Sequence, residues 1–102
     1  MTKFNKLVRD KIPDMIHVQG EQPFTRILET EEYKKCLDNK LDEEIREFRA
    51  DRELEELADI LEVLYALCKA DGHTIEELHA LRRKKHDERG GFDKRIFLIG
   101  KE

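Results

Sequence analysis

Paired cysteines, long apolar runs, glycine-rich phosphate loops and repeated segments are all missing from this chain of 102 residues. Each absence removes a class of protein. The two cysteines, Cys36 and Cys68, have no C-x-x-C spacing, which argues against a zinc site or a disulfide framework. The four histidines, His17, His73, His79 and His86, show no metal-ligand spacing either. No apolar run reaches membrane-spanning length, and Met1-Thr2-Lys3-Phe4 leads into no signal-peptide core, so no membrane partner and a cytoplasmic location are expected. A net charge of −4 speaks against coating a nucleic-acid polymer, which calls for a strongly basic surface. There is no G-x-x-x-x-G-K-[ST] loop and no G-x-S-x-G elbow. With no repeat, linker or low-complexity stretch, residues 1–102 read as one domain.

Charge is what the sequence does have: 43% of its residues are Asp, Glu, Lys or Arg. From Lys40 to Leu67, two acidic pairs, Glu44-x-x-Glu47 and Glu56-x-x-Asp59, sit inside two amphipathic helical patterns. Side chains at i and i+3 lie one above the other on a helix, so each pair aims two carboxylates in one direction. At about 100° per residue, the first apolar stripe holds Leu37, Leu41, Ile45 and Phe48, with Glu44 inside the arc and Glu47 at its edge. The second arc is wide, taking in Leu54, Leu57, Ile60, Leu61, Val63, Leu64 and Leu67, with Glu56 projecting into it and Asp59 on its border. A buried carboxylate costs several kcal/mol unless it is paired, protonated or bound to metal. A hard divalent cation held by carboxylate oxygens accounts for both helices at once, where a solvated charged surface would account for only one pair.

Asp10 is read as the cap of a short helix ending near Val18, with Pro13 in its first turn and Gly20 as its stop. The alternating stretch Gln22 to Leu28 reads as a strand. Thr30 is read as the N-cap of a helix running to about Ala50, and Asp51 as the break before a second long helix from Arg52 to Ala70. Asp71-Gly72 stops that helix, and Thr74-x-x-Glu77 is a capping box that opens a third, which Gly90-Gly91 ends. Arg95 to Ile99 reads as a second strand pairing with the first. The expected fold is thus an all-α helical bundle with a minor β-ribbon. The wide apolar arc of the Arg52 to Ala70 helix leaves a face around Leu54, Leu61 and Tyr65 uncovered, which predicts a homo-oligomer, a dimer or tetramer.

Basic residues gather at both ends of the chain and beside the first acidic pair. Lys6, Arg9, Lys11, Lys40, Lys85 and Arg89 are the candidates for phosphate binding, since ends folded back over the acidic helices would set cations beside the metal.

The ordered pairs in KLDEEIREF and EELADILEVLYAL resemble the signature of the all-α nucleoside triphosphate pyrophosphohydrolase superfamily. That superfamily includes MazG-like proteins, dimeric dUTPases and phosphoribosyl-ATP pyrophosphohydrolase. Asn5 to Pro13, NKLVRDKIP, and Arg89-Gly90-Gly91-Phe92 are similar to the ends of small MazG-like or phosphoribosyl-ATP pyrophosphohydrolase-like proteins, so the likeness covers nearly the whole chain. It implies magnesium-dependent cleavage between the α and β phosphates of a nucleotide, with manganese as a substitute ion. By motif position it implies Glu44, Glu47, Glu56 and Asp59 as metal ligands and Glu43 as a residue acting on the attacking water, with Glu44 beside it in the catalytic pair. Ala58 stands where glycine is frequent in the superfamily. House-cleaning of non-standard nucleotides is the leading expectation. Phosphoribosyl-ATP hydrolysis in histidine biosynthesis is the alternative within that chemistry, and a non-catalytic helical interaction module the alternative outside it.

Overall fold

A computed structural model describes all 102 residues and contains four helices: α1 (Ile12–Val18), α2 (Thr30–Asp51), α3 (Leu54–Ala70) and α4 (Ile75–Arg89). The fold is all-α. No strand forms, so the expected β-ribbon between Gln22–Leu28 and Arg95–Ile99 is corrected. Arg95 takes a positive φ of 57° and its N–H closes a turn on the Phe92 carbonyl, a conformation that a strand cannot begin from. An isolated two-stranded ribbon is also only marginally stable in water, and these two segments are separated by α2, α3 and α4.

Thr30 is the first residue of α2 and not its cap; Glu29 occupies that position in extended conformation, without a side-chain capping bond. At the other end Arg52 adopts the left-handed conformation, φ 55°, and its N–H bonds to the Phe48 carbonyl at 2.8 Å. That conformation costs a non-glycine residue about 1–2 kcal/mol. The Arg52 guanidinium, 4.9 Å from the centre of the Phe48 ring, returns roughly 0.5–1 kcal/mol through cation–π attraction at an exposed site. Because the chain reverses within two residues, α2 and α3 pack as a helical hairpin.

The fourth helix packs on α3 alone. Its capping box forms as the spacing predicts, the Glu77 N–H donating to Thr74 Oγ1 and the Thr74 N–H to Glu77 Oε1, both at 3.1 Å. Tyr65 on α3 shares a 2.8 Å hydrogen bond with His79 Nε2, and the Cys68 thiol donates to the Thr74 carbonyl at 3.3 Å. Tyr65 is thus half-buried against α4, which removes it from the open face proposed around Leu54 and Leu61.

Only Leu37, Val63 and Glu44 are buried, and each keeps a few per cent of its surface exposed. The radius of gyration, 18.1 Å, exceeds the roughly 13 Å of a compact domain of about 100 residues. Leu54, Leu57, Leu61 and Leu64 form an exposed stripe along α3, and Phe92 and Ile96 to Ile99 lie open beyond α4. No helix is long and apolar enough to cross a membrane.

Candidate metal centre

The hairpin brings together residues that are 12 to 15 positions apart in the chain. Glu44 on α2 and Glu56 and Asp59 on α3 each offer a carboxylate oxygen, and the three oxygens lie within 4.8 Å of one another. Around a magnesium ion with ligands at about 2.1 Å, neighbouring oxygens stand about 3 Å apart and opposite ones about 4 Å. A donor set of oxygens alone, with no cysteine or histidine, suits a hard cation.

Glu44 is only 7% exposed, although it is a carboxylate. One of its oxygens, Oε1, faces Lys40 Nζ at 3.4 Å. The other, Oε2, is buried and has no hydrogen-bond partner. Leaving such an atom unsatisfied costs about 1–3 kcal/mol, and more when it is charged. Burial first, then the neighbouring charge of Glu47, raises the Glu44 pKa above the ordinary carboxylate value, with Lys40 opposing them. Glu56 is raised too, by desolvation and then by Asp51, Asp59, Glu44 and Glu55. Each shift disfavours the ionised carboxylate, through desolvation first and like charge second.

A cleft of about 340 Å³ opens over these acids. Its α2 wall is Lys40, Glu43, Glu44 and Glu47, and Asp59 stands for α3. The N-terminal segment closes it with Lys6, Val8, Arg9 and Ile12. Lys40 Nζ also lies 3.6 Å from Glu43 Oε2, which places the ammonium between two carboxylates. Arg9 Nη2 donates to Asp59 Oδ1 at 2.6 Å across the cleft.

Seven of the residues singled out in the sequence therefore line one cleft: Lys6, Arg9, Lys40, Glu43, Glu44, Glu47 and Asp59. Glu56 joins through the oxygen cluster. Glu47 lines the cleft as an exposed side chain and stands outside the trio of converging oxygens. Three of the proposed phosphate-binding cations do not line the cleft. Lys11 faces a separate groove with Asp14, Met15, Val18 and Gln19, which has a single acid and no convergent set. Lys85 and Arg89 are exposed on α4, which has no partly buried side chain beyond Leu78. Neither the Arg9–Asp59 bond nor the apolar wall of Val8 and Ile12 is legible in the sequence, because nothing local says where a seven-residue helix docks.

The chain matches no protein-family model and no solved structure. An uncharacterized protein of Mycolicibacterium smegmatis (strain ATCC 700084 / mc(2)155) is 51% identical to it over 45 residues. The shared stretch makes up 44% of this chain and 46% of that protein, so the chain spans less than half of the relative's length.

Proposed function

We propose that the chain is a magnesium-dependent nucleotide pyrophosphohydrolase of the MazG-like all-α type, cleaving the α–β phosphoanhydride to a nucleoside monophosphate and pyrophosphate. The observation that carries this reading is the buried, unpartnered Oε2 of Glu44 beside the oxygens of Glu56 and Asp59. Glu44, Glu56 and Asp59 hold the cation, with Glu47 as the added ligand the resemblance implies. A bound Mg2+, or Mn2+ in its place, neutralises phosphate oxygens and makes water a better nucleophile. Lys40, Lys6 and Arg9 supply donors to the phosphates on the other walls. Glu43, half-buried at the cleft wall, takes the proton of the water as its oxygen bonds to the α phosphorus and the bond to the bridging oxygen breaks. Pyrophosphate departs with the bridging oxygen, and no covalent enzyme intermediate is required.

The test is release of pyrophosphate from a panel of nucleoside triphosphates and phosphoribosyl-ATP, with and without Mg2+. Release that depends on Mg2+ supports the assignment, and the panel ranks the substrates. No release from any of them, in protein shown to be folded, leaves the non-catalytic interaction module as the better reading.

The same reading includes self-association. Leu54, Leu57, Leu61 and Leu64 recur at spacings of three and four residues, the seam along which helices pair, and all four are exposed. Light scattering at micromolar concentration distinguishes a dimer or tetramer from a single chain of 12.2 kDa.

A further inference from the structure

The contact between Arg9 and Asp59 links the two charge systems of the cleft. We propose that Arg9 is an exchangeable counter-ion: it holds an Asp59 oxygen until a divalent cation takes that carboxylate, and then turns its guanidinium to a phosphate oxygen. The inference rests on the cation site described above and adds an order of events to it.

The geometry of the bond supports exchange. Arg26 grips Glu32 with both terminal nitrogens, at 2.9 and 2.6 Å, the two-bond fork that adds geometric specificity. Arg9 uses only Nη2, which leaves the rest of its five-donor fork free. The two side chains are 55% and 39% exposed, so water competes for the pair and breaking it costs little. Arg9 also belongs to a weakly held segment, since α1 directly after it contains no buried residue. Lys40 differs: it is only 20% exposed and held between Glu43 and Glu44 on its own helix. A guanidinium on Asp59 repels an incoming divalent ion, and the same group, once released, stands at the cleft wall where a phosphate oxygen would lie.

The test compares the full chain with Arg9→Gln and Arg9→Lys, titrating Mn2+ by the paramagnetic resonance of the free ion, and then inorganic pyrophosphate into the Mn2+-loaded protein. Arg9→Gln is expected to bind Mn2+ about two- to fivefold more tightly, the fold-change of one exposed ion pair removed. It is expected to bind pyrophosphate about tenfold or more weakly, the loss of a charged hydrogen bond. Arg9→Lys, which keeps the charge, returns Mn2+ affinity to the wild-type value. Unchanged or weaker Mn2+ binding by Arg9→Gln overturns the proposal and makes Arg9 an orienting partner of Asp59. Undiminished pyrophosphate binding overturns it as well. If the wild-type chain takes up no Mn2+, the cation site falls, and the exchange falls with it.

Discussion

The α2–α3 hairpin and the rest of the chain are built on different terms. All three buried side chains lie in the hairpin, and none lies before residue 30 or after residue 70. One of those three is an acid whose second oxygen is unsatisfied, so the best-packed part of the molecule also carries its least favourable polar atom. The flanking segments bury no side chain at all, and their cations reach the site only through Lys6 and Arg9. Unfavourable polar burial persists where surrounding structure enforces it, and such places are candidates for function. The hairpin is the scaffold that enforces Glu44, and the N-terminal segment adds Lys6 and Arg9 to it without burying a side chain of its own.

The sharpest way to break this contrast is to remove one apolar side chain from each region. Leu37→Ala should lower stability by about 2–5 kcal/mol through cavity formation, whereas Leu98→Ala should stay within about 0.5 kcal/mol. Denaturant melts of both variants measure the difference. A comparable loss at Leu98 would mean that another copy covers the tail.

The acids come next. Glu44→Gln and Asp59→Asn should each reduce pyrophosphate release by roughly 100-fold or more, since even residues that only support metal ligands are worth about 10–100-fold. Circular dichroism should show the helices retained, because each change removes charge and little volume. Wild-type turnover by either variant would remove that carboxylate from the cation site.

Stability against pH sharpens the same point. The folded-state pKa values of Glu44 and Glu56 lie above those of an unfolded chain, so the folded protein binds more protons between the two values. Their contribution is fully present below the ordinary carboxylate value and is lost as pH rises through the raised one. Without divalent ions, Glu44→Gln should therefore be the more stable protein at neutral pH, and its advantage should shrink in acid. Mg2+ should raise the thermal midpoint of the wild type and not of the variant, and NaCl at matched ionic strength should not reproduce the rise. A wild type more stable than Glu44→Gln at neutral pH without Mg2+ would show that the buried charge is already compensated.

A smaller and more local effect than those on the hairpin belongs to α4. Thr74→Ala removes the capping hydroxyl and should cost about 1 kcal/mol, read as faster amide exchange in α4 with the hairpin unchanged. Equal loosening of α2 would mean that α4 and the hairpin unfold as one unit.

Local rules wrote much of this molecule into its sequence. The two acidic pairs on consecutive helices, the Asp71–Gly72 stop and the Thr74–Glu77 box follow from helix periodicity and capping alone, and the structure reproduces the helices within a few residues. Burial of Glu44 follows too, because its place within the stripe of Leu37, Leu41, Ile45 and Phe48 depends only on the angle per residue. Tertiary structure decided the rest. It drew three oxygens from Glu44, Glu56 and Asp59 together and left Glu47 at the cleft wall, since which oxygens converge depends on the rotation of one helix against the other. It tied Tyr65 to His79 and left Arg95 to Ile99 without a strand partner. It also chose Arg9 for Asp59 over Lys11, Lys85 or Arg89, because exposed cations carry no local signal of where their chain segment will dock, and a contact spanning fifty residues is fixed only by packing.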